Sequence, residues 1–352
     1  MTPRYDYSAL LEFATALGHK TGLAVDRSRI QAEVLLEADL MGHSTHGLNL
    51  LPNYLKELES GATKSAGDPT IVSDRGSALT WDGNNLPGTW LVSHALAEAR
   101  RRVRQHPVVT VVIKRSGHIG ALISYLRQAT DDGHVITLMT TNPLARTVVP
   151  AGGIEPVLAP NPIAFGCPTD GDPVLIDIST SAVANGWVRR WAAENKTLPA
   201  KWLQDSKGNL TDDPGAFLGP PAGSLLPLGG IELGHKGFAL GLIVEILTGS
   251  LAGVGHIGAA AEAGNLVYLQ LVDPGAFAGL ATFKRDSGLL ATACRTSKPR
   301  SDTPVRMPGD RALAQRRTQL AEGVELYPSI MPALQPWSTK LDVQPPPPLI
   351  RG

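Results

Sequence analysis

Apolar residues recur at Leu10, Leu11, Phe13, Ala14 and Leu17, the spacing of one helical face, and predict a helix over residues 7–17 that Gly18 is placed to end. A second face, Ile30, Val34, Leu35, Ala38 and Met41, predicts a helix that starts near Asp26 or Ser28, either able to cap it, and runs to Met41. A third is expected over residues 48–58, with Tyr54 on it. The period then shortens. Residues 70–72 and 78–81 flank Asp74-Arg75-Gly76-Ser77 and read as a hairpin. After a helix over 90–104, the β-branched run 108–113 has no charged break and reads as a strand buried on both faces. A helix over 121–130 and strands over 134–140 and 174–178 follow. Residues 195–230 read as loop. Then Gly234-His235-Lys236-Gly237 opens the most apolar helix, 238–251, and a strand over 266–272 follows it. Residues 295–303 read as flexible, 312–322 as a helix, and 344–349 as a disordered polyproline tail.

At 352 residues the chain can bury one large core or two ordinary ones. Its 32 basic and 32 acidic residues cancel, so charge gives no reason to expect nucleic acid or an anionic membrane as partner. The arginine cluster Arg100, Arg101, Arg102 and Arg104 fits a solvated helix C-terminus. Cys167 and Cys294 lie too far apart for a CxxC metal knuckle and suit a reducing cytosol. No apolar run approaches the roughly 20 residues of a membrane span, and a cytoplasmic protein without a signal segment is expected.

Chemistry first shows at Gly42-His43-Ser44-Thr45-His46-Gly47-Leu48. A hydroxyl directly before a histidine at a helix end gives an anchored imidazole with an open face, which suits a general acid or base. The plainer reading of His46 is a packing histidine. Three strands, however, also deliver polar residues into turns: His118, then Thr141-Asn142, then Asp177 with Ile178 and Ser179. His235-Lys236, between two glycines at an expected helix N-terminus, would suit a pyrophosphate. Together they describe a cleft for a large polar ligand. There is no GxGxxG after an early strand and no GxxxxGK[ST], and no spacing that suits a metal.

The motifs in chain order resemble the malate/L-lactate dehydrogenases of the second, non-Rossmann type. These are Ala38-Asp39-Leu40-Met41-Gly42, Thr45-His46-Gly47-Leu48, Pro52-Asn53-Tyr54, Gly117-His118-Ile119-Gly120, Ser124-Tyr125, Asn142-Pro143, Gly152-Gly153, Asn161-Pro162-Ile163-Ala164-Phe165, Asp177-Ile178-Ser179-Thr180-Ser181, Gly234-His235-Lys236-Gly237 and Pro308-Gly309-Asp310. The group also holds ureidoglycolate dehydrogenase, diketogulonate reductase and piperideine-2-carboxylate reductase. The resemblance implies an α/β (α+β) fold: a nicotinamide-binding, mixed, largely antiparallel sheet plus a helical region built from both chain ends. Residues 1–70 would carry the catalytic histidine, 71–294 would bind NAD or NADP, 295–340 would pack back on the helices, and 341–352 would form the Pro-rich tail. It further implies a homodimer and a small-molecule substrate, a 2-oxo or 2-hydroxy acid.

Carried over residue by residue, His46 is the proton donor or acceptor, Thr45 (serine in most of the family) orients it, and His118 is the second candidate for that role. His118, Thr141, Asn142, Asp177, Ile178, Ser179, His235, Lys236 and Gly309 match cofactor contacts, and Tyr54 a substrate contact. One departure changes the expectation. The family commonly has arginine four residues after the catalytic histidine, to grip a carboxylate; here that position is Leu50. A hydrogen bond to a charged group is worth about 1.5–3 kcal/mol, roughly tenfold to more than a hundredfold in binding. Arg146 is the candidate replacement, against the plainer reading of a surface residue. The alternatives are a cyclic imino-acid reductase, a cofactor binder without turnover, and, more remotely, a metal-dependent hydrolase using His43, His46 and His118.

Overall fold

A computed structural model of the chain describes residues 3–254, 264–300 and 302–349. Strand β1 (Arg4–Tyr5) leads into helix α1 (Tyr7–Lys20), capped by Asp6, with Leu10, Leu11, Phe13, Ala14 and Leu17 buried. Gly18 is not its stop. It lies inside the helix, where a Cβ would come 2.3 Å from Ser28 Oγ, so its role is the close approach of α2 (Val25–Leu40). Ser28 donates to the Thr15 carbonyl and is a packing residue; neither it nor Asp26 is the cap, because α2 starts after Ala24. Gly42 does end this segment, at φ 82. Helix α3 (Leu51–Ser60) follows a short 3-10 turn over Leu48–Leu50.

The hairpin is present as β2 (Thr70–Asp74) and β3 (Ala78–Asp82). Next come α4 (Gly88–Arg102), β4 (Val108–Ser116), α5 (Ile123–Asp131), β5 (Val135–Thr141), β6 (Ile163–Cys167) and β7 (Val174–Ile178). The stretch read as loop is more ordered than its glycines and prolines suggest. Helix α6 (Asn185–Ala193) precedes a three-stranded sheet of β8 (Leu203–Gln204), β9 (Leu210–Thr211) and β10 (Ser224–Leu225), with α7 (Gly215–Leu218) inserted. Helix α8 (Gly230–Glu245) is followed by a π-helical turn over Ile246–Ser250, then β11 (Asn265–Val272), α9 (Leu280–Arg295), α10 (Asp310–Glu322), β12 (Val324–Glu325) and α11 (Ile330–Leu341). Arg295, expected in a flexible stretch, closes α9 and pairs with Asp310 at 2.6 Å. The tail is docked: the Leu349 N–H donates to the Arg4 carbonyl at 2.7 Å.

The main sheet has the order β2-β3-β4-β11-β5-β6-β7, and only β3 and β4 are parallel. The expected mixed, largely antiparallel sheet is what the chain forms. Because β4 and β5 both run antiparallel to β11, and β7 is two antiparallel steps from β5, all three point the same way and end at one sheet edge. One face buries Val109, Val111, Ile113, Ile136, Leu138, Val267, Leu269 and Leu271 against α4 and α5. The other carries Val112, Met139, Leu266 and Tyr268 beside Val244 of α8. Each such side chain contributes about 1.5–3 kcal/mol on burial, which makes the sheet centre a rigid base for the edge. Helices α1–α3 close a separate cluster with β12 and α11, through residues such as Leu10, Leu35, Leu55, Val324 and Leu334. Among the described residues no helix is long and apolar enough to cross a membrane.

Candidate active site

His46 sits on the turn between α2 and α3, its backbone N–H donating to the His43 carbonyl at 2.8 Å. The turn is fixed from beneath by Asp39, fully buried on α2, whose Oδ2 accepts the Leu48 N–H at 2.7 Å. A Cβ at position 47 would fall 2.3 Å from the Asp39 carboxyl carbon. Gly47 is therefore required by this carboxylate and not by a positive φ. Burial pushes Asp39 up to about 7, so near neutrality it holds a proton part of the time.

The Thr45 hydroxyl lies 2.8 Å from His46 Nδ1, which leaves Nε2 for the cavity. Thr45 also packs on Gly186 of α6, where a Cβ would meet the Thr45 Cβ at 3.2 Å. His118, just past the end of β4, lies near His46, with ring centroids 6.0 Å apart and planes at 24°. Its environment is different. The Gly120 N–H donates to His118 Nδ1 at 3.2 Å, and the Tyr54 hydroxyl sits 2.6 Å from the same nitrogen. A backbone N–H can only donate, so Nδ1 is an acceptor and the ring proton is assigned to Nε2. Burial lowers both imidazoles to about 4; for His46 the neighbouring His118 adds to the effect and Asp177 opposes it. Both are neutral at pH 7.

A cavity of about 750 Å³ joins these groups to the sheet edge, lined by His46, His118, Thr141, Asn142, Asp177 and Ser179 among others. Thr141, Asn142, Asp177 and Ser179 are thus brought together with both histidines, as expected of strands ending on one side. Asp177 accepts the Ile123 N–H at 2.9 Å. The Thr141 hydroxyl reaches Asn161 Oδ1 at 2.6 Å and Glu245 Oε1 at 2.8 Å, and Asn161 Nδ2 donates to that same Glu245 oxygen at 2.8 Å.

Other expected residues lie elsewhere. Tyr54 is buried behind His118 and positions it. Arg146 is exposed, donates to the Pro143 carbonyl and does not line the cavity. Ile178 is exposed, and Gly309 caps α10 against Leu175 at φ 96; neither lines the cavity. The reading of Gly234-His235-Lys236-Gly237 as a helix start is corrected. Helix α8 begins at Gly230, so residues 234–237 have no free terminal amides. Gly237 is there because a Cβ would lie 2.4 Å from the Leu228 backbone nitrogen, and His235 and Lys236 face solvent. Leu50 packs with the helical cluster and does not line the cavity. Among the described residues, no three His, Cys, Asp or Glu side chains gather as a metal site would require.

Sequence reasoning gave no site role to Asp39 and Asn161, quoted only as members of motifs, nor to Glu245. Glu245 had a signal, as an acid inside the most apolar helix. Asp39 had only its place in a motif, since an acid on an amphipathic helix otherwise reads as solvated.

The fold has known counterparts. The malate/(S)-sulfolactate dehydrogenase of Methanothermus fervidus is 30% identical, over 98% of both chains, and the L-lactate dehydrogenase of Cupriavidus necator is 32% identical, over 89% of this chain and 90% of that protein. The solved malate dehydrogenase of Pyrococcus horikoshii superposes with a TM-score of 0.87 at 26% identity, covering 97% of this chain and 96% of that one. The Δ1-piperideine-2-carboxylate reductase of Pseudomonas syringae gives 0.83 at 27% identity, covering 96% and 100%. The class these define is dehydrogenase/reductase, and this chain is an enzyme of that class. A family description, malate/L-lactate dehydrogenase, matches residues 5–335, and the chain belongs to that family.

Such enzymes use nicotinamide cofactors. The lining fits the nicotinamide end in its chemistry: Ala121, Ala159, Pro160 and Pro162 supply apolar groups and Thr141 and Asn142 polar ones, the mix that a ring with a carboxamide needs.

Proposed function

We propose that this enzyme interconverts a 2-oxo acid and its 2-hydroxy acid with NAD or NADP, and that His46 exchanges the proton with the substrate oxygen. The observation that carries this reading is the unequal pair of imidazoles over one cavity. His118 has its Nδ1 lone pair taken by a backbone N–H, so a second ring proton would face the Gly120 amide. It is held as a neutral donor suited to gripping the substrate through Nε2–H. His46 has a hydroxyl at Nδ1, which can accept from the imidazolium or from the neutral ring. The bound nicotinamide supplies or takes the hydride. Asp177, whose charge favours the protonated His46, steadies the imidazolium, and Thr141, Asn161 and Glu245 hold the sheet edge in place.

The pH dependence tests this. Oxidation of the hydroxy acid releases a proton, so one direction must vary with pH. With His46 near 4, the neutral base is present throughout neutrality, so oxidative kcat/KM is expected to be flat from pH 6 to 8. The acid form grows scarcer, so reductive kcat/KM should fall about tenfold per unit over that window. Absorbance at the reduced-cofactor band with a panel of 2-oxo acids measures it. A slope on the oxidative side instead, with reduction flat, would contradict proton exchange through a group already neutral at pH 6, and no turnover of any 2-oxo acid would overturn the substrate reading.

Two further expectations belong to this reading. Cytoplasmic residence fits the free cysteines Cys167 and Cys294. A homodimer fits the apolar side chains that α8 and its extension leave exposed, Ile231, Leu233, Leu242, Ile243, Ile246 and Leu251. Sedimentation at twice the 37.2 kDa chain mass is expected, and the mass of one chain would contradict it.

A further inference from the structure

Helix α6 is seated on the turn that carries the proton donor. Gly186 abuts Thr45, and one turn on Arg190 Nη1 donates to Ser44 Oγ at 3.0 Å. From that seat Trp187 and Trp191, four residues apart and so on one helix face, line the cavity. Trp202, just before β8, joins them. Their ring centroids are 5.8 Å apart for Trp187 and Trp191 and 6.3 Å for Trp191 and Trp202. Trp191 and Trp202 are partly buried against the core cluster that includes Val188 and Leu203, which holds the wall rigid. Trp187 is 41% exposed even though it lines the cavity. An indole left open at a cavity wall is a surface for a ring.

The polar groups point to the same occupant. No lysine or arginine lines the cavity among the described residues, and Asp177 is its only carboxylate. Asn185, also on α6 and also lining, has its amide oxygen buried without a hydrogen-bond partner, an acceptor that only a donor on the occupant can satisfy. With no cation in the lining, the carboxylate gains little here whether the acid is small or large, so binding must come from the side chain, which favours an acid with a large planar one.

We propose that the substrate is a 2-oxo acid bearing an aromatic ring, which packs against Trp187 and Trp191 while the carboxylate accepts from His118 Nε2–H. This rests on the 2-oxo acid reading above. The carbonyl carbon takes the hydride of the reduced nicotinamide and its oxygen takes the His46 proton. The products are the aryl 2-hydroxy acid and the oxidised cofactor.

Phenylpyruvate and pyruvate, compared at saturating reduced cofactor, test it in the parent enzyme, Trp187→Ala and Trp187→Phe. The parent is expected to favour phenylpyruvate at least about tenfold in kcat/KM. That ratio should fall towards one in Trp187→Ala, mainly through KM, and recover in Trp187→Phe. Turnover of both acids with no preference for phenylpyruvate overturns the aromatic assignment and leaves the 2-oxo acid reading standing. An unchanged ratio in Trp187→Ala with a raised cofactor KM overturns it too, because the indole then serves the cofactor. No turnover of any 2-oxo acid overturns both readings.

Discussion

Replacing His46 with alanine is expected to lower turnover about a thousandfold, the scale of a lost general acid, while cofactor affinity stays within about threefold. The side chain touches only Thr45 among the hydrogen-bonding groups of the turn, and the turn itself is held by Asp39 and the backbone, so the scaffold should survive. Both numbers come from one preparation, by single-turnover absorbance and by fluorescence titration of the reduced cofactor. His118→Gln supplies the contrast. It should raise KM for the acid more than it lowers kcat, since in the proposed role His118 donates a hydrogen bond that ground state and transition state share. If the thousandfold loss of turnover appears in His118→Gln and not in His46→Ala, the two roles are exchanged.

Gly88→Ala should be among the most damaging single-methyl additions in the molecule. A Cβ at the first position of α4 would sit 2.0 Å from the Gly117 carbonyl oxygen and 2.7 Å from that of His118. Both are backbone atoms and neither can rotate away. The loop bearing His118 must move or α4 must lift off the sheet, at a cost of about 3 kcal/mol or more. Denaturant unfolding measures the loss, and a weaker KM for the acid should accompany it because His118 loses its seat. A variant as stable as the parent would show that the contact between α4 and the His118 loop is loose.

The elements that form the cavity were mostly legible because each obeys a local rule. The run at 108–113 has no charged break since it is covered on both faces, and the turn residues after β4, β5 and β7 stand where strands end. Their meeting at one edge was not legible. It depends on β11, from residue 265 onward, inserting between β4 and β5, a pairing that no local pattern encodes. The Gly-His-Lys-Gly quartet misled for a related reason. Glycine marks both helix ends and close packing, and only the Leu228 backbone beside Gly237 distinguishes them. Glu245 is an acid among apolar residues, and its partners Thr141 and Asn161 are distant in sequence and meet it through the fold. The tryptophan wall lay in and beside a stretch whose prolines and glycines read as loop, so its aromatic residues had no frame in which to be read together.

On the proposed reading, the His46 imidazole and the reacting carbon of the cofactor meet over one substrate carbonyl in this cavity. A crystal structure of the protein with reduced cofactor and an unreactive 2-oxo acid analogue addresses it most directly. Nicotinamide C4 and His46 Nε2 are expected on opposite sides of the analogue's carbonyl, with the carboxamide at Asn142. A nicotinamide ring lodged away from His46, in the chain and in its assembly alike, would contradict it.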